Sequence, residues 1–420
     1  MRLTKNSKNL MLYLTKHKFF NHTIKSKKTD SILIQLFNDI LESYKFLVSL
    51  KQSKDNYYNV STKKLITSTQ IVKPQNFNAN SFPEIIRRHI DEFSIYEINY
   101  SFSLFDRNIK IFFTVEEDNI ELKIDTLNKY VDTIVMWLYI INQYASKQCA
   151  TNISIYFYFT SLEKTLPNSN IQVLDELHVN TAFTTTCPKD SEIVVFRKEE
   201  WFKVFLHETF HNLGLDFSDM NNNDVNKCIL DIFKVKSDVN LYESYTEIWA
   251  EIMNALFCSF ISLKDKDKHN TDLFLSKFDL LINFERTYSF FQLVKILDFM
   301  GLDYTDLYSN SHRSKILRDN LYKEKTNVLS YFVVKTILIN NYQCFLLWCH
   351  NNNTSLLQFK KTSLNQQDFC ELIKKNYKTN NMLDGVYNSE LFLNKMKRKN
   401  KDKITKYMLS NLRMSICELG

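Results

Sequence analysis

The chain has 420 residues, of which 44% are hydrophobic and 14% aromatic, enough apolar surface to fill a large core; this excludes wholesale disorder. A net charge of +7 and a pI near 8.7, spread over that length, do not by themselves point to nucleic acid. With only four Gly and four Pro, long helices and few tight turns are expected.

Residues 1–80 read as a basic, helical N-terminal extension. Its start, MRLTKNSKNLMLYLTKHKFFNH, has an apolar centre, LMLYL, too short for a signal peptide. SILIQLFNDILESYKFLVSL has helical periodicity, KQSKDNYYNVSTKK reads as a polar linker, and Pro74 and Pro83 bracket a joint. Residues 81–300 alternate in type. FPEIIRRHIDEF predicts a helix, and IYEINYSFSLF and NIKIFFTVEE predict a hairpin turning at Asp106-Arg107-Asn108. A long apolar helix follows over 127–145, then a strand over 152–159, a more polar edge strand over 177–186 and a third strand over 191–196. That strand runs into RKEEWFKVFLHETFHNLG, a helix with Glu199 and Glu200 at its start and Gly214 placed as a left-handed cap at its end. After residue 225 the chain reads almost wholly as helix. In the C-terminal region, 301–420, VLSYFVVKTILINNYQCFLLW is broken by Lys335 and Asn340-Asn341 and is expected to be a buried helix, not a membrane span. The basic run 394–406 is a solvated helix face or, alternatively, a contact for nucleic acid.

One stretch carries chemistry. In VFLHETFHNLGL, His207 and His211 lie four apart, so on a helix they aim two imidazoles at one point, as two ligands of a zinc site do. Glu208 is turned about 100° from His207, within reach of a water on the metal, and can act as its base. Chance predicts on the order of 0.01 such His-Glu-x-x-His matches in a chain of this composition. A third ligand is needed. The position for a third histidine after Gly214 holds Phe217, with Asp216 one residue out of register. NLYESYTEIWAEIMNALFCSF instead offers Glu243, Glu247 and Glu251 on one face of an otherwise apolar helix with no Lys or Arg to pair them, and buried carboxylates need a cation. Glu247, thirty-six residues beyond His211, is the expected ligand, with Glu251 accepting the free N–H of a ligand histidine. Glu243 as ligand, with Glu247 supporting, is the same scheme shifted by one turn.

HETFH followed by EIWAE resembles the gluzincin metallopeptidases, whose signature is His-Glu-x-x-His and a downstream Glu-x-x-Ala-Asp/Glu. The resemblance covers roughly residues 90–260. It implies an α+β zincin-like core: a mixed sheet, a backing helix, an active-site helix and a glutamate helix, with mainly helical flanks. It implies one zinc ion held by His207, His211 and Glu247, Glu208 as base, Glu251 in support, and a peptide or protein substrate extended along strand 177–186. The Lys- and Asn-rich composition and the run FRKEEWFKVFLHETFHNLGLDFSDM are also similar to uncharacterised putative metallopeptidases of large DNA viruses.

Weaker candidates are His178, facing the cleft from the edge strand, and Tyr242 or Tyr245 as a hydroxyl for the oxyanion, a role the resemblance implies for a Tyr or His. Eight Cys are scattered without a Cys-x-x-Cys pair, and several sit in apolar runs, which predicts buried thiols in a reducing, intracellular setting; Cys187 is either such a thiol or an inhibitory ligand. The competing expectations are a zinc endopeptidase, a non-catalytic assembly protein stapled by zinc, and a DNA-associated protease localised by the basic run.

Overall fold

The computed structural model describes residues 1–20, 26–53, 57–398 and 402–420. Of the basic run 394–406, residues 399–401 lie outside the described set.

The sheet has six strands: β1 (Asn59–Lys64), β2 (Tyr96–Leu104), β3 (Arg107–Val115), β4 (Asn152–Phe159), β5 (Ala182–Thr184) and β6 (Asp190–Val195), in the order β1-β2-β3-β4-β6-β5. β3, β4 and β6 run parallel, while β1, β2 and β5 pair antiparallel, so the sheet is mixed and the architecture α+β. Parallel neighbours need a crossover, and the helix Glu121–Asn142 supplies it between β3 and β4. Period-2 alternation in β4 divides the two faces. Ile153, Ile155, Phe157 and Phe159 join the main core; Tyr156 and Tyr158 join a smaller cluster with Phe82 and with Ile86 and Ile90 from helix Glu84–Phe93.

The main apolar cluster includes Leu10, Leu36, Trp137, Phe205, Trp249, Phe345 and Leu419, so the N-terminal, central and C-terminal segments share one core. The helix Trp201–Asn212 is buried over its whole length, as expected for a helix apolar on nearly all sides. It lies under the crossover helix, where the Trp137 indole donates to Thr209 Oγ1 at 2.7 Å. Helix Leu241–Ile261 packs beside it, and helix Thr271–Met300 closes the next layer.

Three local expectations are corrected. The stretch read as a linker contains β1, a fully exposed edge strand, so no burial pattern marks it; its partner β2 supplies its hydrogen bonds. The hairpin turns one residue early, on Phe105 and Asp106, both with positive φ as a two-residue primed turn requires. The edge strand expected over 177–186 is only β5. Its first half is a single helical turn, Glu176–Val179, because Asp175 caps it by accepting from Leu177 N at 3.0 Å and Arg197 holds the Asn180 carbonyl at 3.2 Å.

Among the described residues no single helix is long and apolar enough to cross a membrane. The apolar stretch near 330–350 is two segments, Leu329–Asn340 and Tyr342–Asn352, meeting at 89°. The first is buried throughout, and the second puts Tyr342, Phe345, Leu346 and Cys349 into the core.

Candidate metal centre

The helix Trp201–Asn212 ends in a Schellman turn. Gly214, at φ +66°, lets Leu215 N reach Phe210 O (2.9 Å) and Gly214 N reach His211 O (3.0 Å). This reversal brings Asp216 back onto the helix, where Oδ2 accepts from His211 Nδ1. Asp216 is itself held: Oδ1 accepts from Ser218 N (3.0 Å) and Oγ (2.8 Å), and Thr246 Oγ1 donates to Oδ2 at 3.2 Å.

His207 is fixed in the same manner by a different carboxylate. Its Nδ1 lies 3.0 Å from Glu247 Oε2, and the other oxygen of Glu247 takes the ammonium of Lys203. An ionised carboxylate only accepts, so both imidazoles carry hydrogen on Nδ1 and turn Nε2 toward the cluster. The two Nε2 atoms lie 3.1 Å apart. The third member is Glu243, whose Oε2 lies 3.1 Å from His207 Nε2 and 3.3 Å from His211 Nε2. The three ligand atoms fall within 4.8 Å of one another. Two imidazole nitrogens and a carboxylate oxygen thus converge on one point, where a cation would join all three. The N, N, O donor set, with each imidazole braced by a carboxylate, fits a zinc ion.

The glutamate that converges with the histidines is therefore Glu243, not Glu247. Glu247 sits one turn deeper and has both oxygens engaged by Lys203 and His207. Glu251, expected to support a histidine, is deeper still, 3.8 Å from Lys335 Nζ, and burial, opposed by Lys335 and reinforced by Glu285, pushes its carboxyl well above the ordinary value. The supporting acid on His211 is Asp216. The pattern that matches the geometry is ESYTE, 243–247, and the corresponding expectation from EIWAE is one turn out of register.

The electrostatics follow the packing. Burial opposes charge on His207, but hydrogen bonds to Glu243 and Glu247 outweigh it and hold the ring above its ordinary value. Burial likewise opposes charge on His211 and is outweighed by Asp216 and Glu243. Glu243 is held well below the carboxylate range: burial raises it, and the two histidines overcome burial. Glu208 behaves differently. Burial pushes its carboxyl up to about 7, and among the described residues no protein group hydrogen-bonds to it, although it lines the cleft.

The cleft in front of the cluster has a volume of about 350 Å³. Ala182, Phe183 and Thr184 of β5 line it, as do Asn240, Asn327 and Tyr331. Tyr331 Oη donates to Glu243 Oε2 at 2.9 Å, and its ring centre is 5.9 Å from that of His207. It rides on a π-helical turn, Leu329–Val334, an irregularity often found at functional sites. Of the two tyrosines singled out from the sequence, Tyr245 is turned away, donating to Leu357 O at 3.2 Å. Tyr242 lies edge-on to His211, ring centres 5.8 Å apart. His178 is on the short helical turn, not a strand, with Nδ1 2.6 Å from Asp175. Cys187 is disulfide-bonded to Cys149, and Cys228 to Cys370, so neither half-cystine of the first pair is a thiolate poised at the metal.

Sequence reasoning missed Lys203, Asp216 and Tyr331. Lys203 had a signal, since positions 203, 207 and 211 share one helix face. Asp216 had a weaker one in the turn at Gly214. Tyr331, far along the chain, had none. No family model, curated protein or solved structure matches the chain significantly.

Proposed function

We propose that the chain is a zinc-dependent metallopeptidase. The observation that carries this reading is the convergence of His207 Nε2, His211 Nε2 and Glu243 Oε2 beside a buried carboxyl, Glu208, that lines the same cleft without a protein partner. A structural zinc site has no use for such a base. A zinc ion held by those three atoms would polarise a scissile carbonyl and acidify water at the site. Glu208 accepts the proton of the attacking water and returns it to the leaving amine, so that one C–N bond is exchanged for one C–O bond with no net proton change at the enzyme. Tyr331, which lines the cleft, supplies a hydroxyl to the developing oxyanion. β5 offers its outer edge to an extended peptide backbone.

The test is metal analysis and peptide hydrolysis on wild type beside Glu208→Gln. Zinc content and thermal stability should match, while turnover falls by about 10²–10⁴-fold. If wild type with stoichiometric zinc cleaves no member of a mixed peptide library, and Glu208→Gln is indistinguishable from it in its native setting, the zinc is structural and the assembly-protein alternative replaces this reading.

A further inference from the structure

The helix Trp201–Asn212 carries a buried lysine one turn before its first histidine. The Lys203 side chain is 2% exposed, and so is Glu247, with which it forms an ion pair. Met414 Sδ lies 3.9 Å from the ammonium, closing it off from the other side. Burying a lysine is costly, and burying it against a carboxylate recovers that cost only when the geometry is well satisfied. Two features give the placement a purpose. First, Glu247 has two oxygens and two tasks: Oε1 holds Lys203 and Oε2 holds His207 Nδ1 at 3.0 Å. With Oε1 anchored, the carboxylate plane is set, and so is the ring it orients. Second, Lys203 cancels the charge of Glu247. Glu243 and Asp216 are then the carboxylates left uncompensated against the two imidazoles, where a dication would offset them.

We propose that Lys203 is a positioning residue: through Glu247 it fixes His207 with hydrogen on Nδ1 and its Nε2 lone pair toward the cluster. The proposal rests on the metal-site reading above. Remove Lys203, and Oε1 of Glu247 loses its anchor, so the carboxylate plane is no longer set and the imidazole it orients is free to turn.

The experiment compares full-length wild type with Lys203→Met, Glu247→Met and the double variant, which exchanges the ion pair for an apolar pair and is expected to fold even where Lys203→Met is weakened. Zinc affinity is measured by competition with a chromophoric chelator. The His207 tautomer is read by ¹⁵N-histidine NMR on the metal-free protein, and stability by thermal denaturation. Lys203→Met should weaken zinc by about 10–100-fold, the range for groups that orient a ligand, and should lose the Nδ1–H tautomer. The double variant should bind zinc no more weakly than Glu247→Met, because Lys203 acts only through Glu247. A Lys203→Met protein that melts earlier but keeps wild-type zinc affinity and the Nδ1–H tautomer overturns the proposal and leaves a purely structural ion pair. Zinc losses in the two single variants that add in the double also overturn it. If wild type takes up no zinc, the metal reading fails; the tautomer arm still decides whether Lys203 fixes His207.

Discussion

At the scale of single residues, the cluster separates three glutamates that one helix face presents alike. Glu243 meets the imidazole lone pairs, Glu247 braces one ring, and Glu251 is buried beside Lys335. The expected consequence is a graded response. Glu243→Ala should abolish zinc binding, whereas Glu247→Ala should retain zinc with affinity lowered by about 10–100-fold; equilibrium dialysis with zinc measures both. Zinc retained by Glu243→Ala and lost from Glu247→Ala would return the site to the register first expected. Tyr331 permits a second test. Its hydroxyl donates to Glu243 Oε2. Tyr331→Phe removes only that oxygen, so zinc should stay bound while kcat falls by about 10²–10³-fold, as for loss of an oxyanion donor. An unchanged kcat, with zinc bound, removes Tyr331 from the mechanism.

At the scale of elements, the helix Trp201–Asn212 is clasped at its start by the segment 411–419. Glu200, at φ 59°, turns the chain into the helix; its carboxylate accepts from Met414 N at 3.0 Å and Ser415 N at 2.5 Å, and pairs with Lys164 at 2.5 Å. In return Glu418 accepts from Glu200 N at 2.8 Å, and the Trp201 indole donates to Leu419 O at 3.1 Å. The sequence placed Glu199 and Glu200 at the helix start, where acids suit the dipole. In the fold both are buried, and they divide the proton between them: Glu200 stays ionised against Lys164, while burial, opposed by Lys164 and reinforced by Glu200, pushes Glu199 up to about 7. A carboxyl whose folded pKa is raised binds its proton more tightly in the folded chain. Its stabilising contribution is therefore complete below the unfolded value of 4.5 and is lost as pH rises through about 7. Glu199→Gln stays neutral throughout. The melting temperature of the variant should gain on that of wild type across this window, a difference that thermal scans at pH 4.5 and 7.5 would show; a constant offset would mean Glu199 does not titrate there.

At the scale of the molecule, two disulfides tie distant parts of the chain, Cys149 to Cys187 and Cys228 to Cys370, leaving Cys258, Cys344, Cys349 and Cys417 as thiols. Buried free thiols alone had been expected. Thiol titration of the denatured, unreduced protein should count four groups rising to eight on reduction; eight before reduction would show that the pairs do not close. The first bridge sits beside the Schellman turn, where a Cβ on Gly214 would stand 3.5 Å from that of Cys187, so it borders the turn that delivers Asp216 to His211.

What the sequence determined by itself is what short-range periodicity encodes. The i, i+4 spacing placed His207 and His211 on one face, Gly214 marked the helix end, alternation marked β3, and apolar runs marked β4, β6 and the crossover helix, since burial on both faces of a parallel sheet leaves a strong signal. β1 escaped because an exposed edge strand has no such pattern, and β5 was expected too long because three residues do not mark their own limits. The choice among Glu243, Glu247 and Glu251 was equally out of reach. All three share one helix stripe, and which of them meets the histidines depends on how far Leu241–Ile261 slides along Trp201–Asn212 when the two pack. Only tertiary structure decides that slide, through contacts such as Lys203 with Glu247 and Thr246 with Asp216 that lie 44 and 30 residues apart in the chain. Tyr331 reaches Glu243 across 88 residues on a π-turn, a placement set by the packing of helices whose order no local pattern encodes.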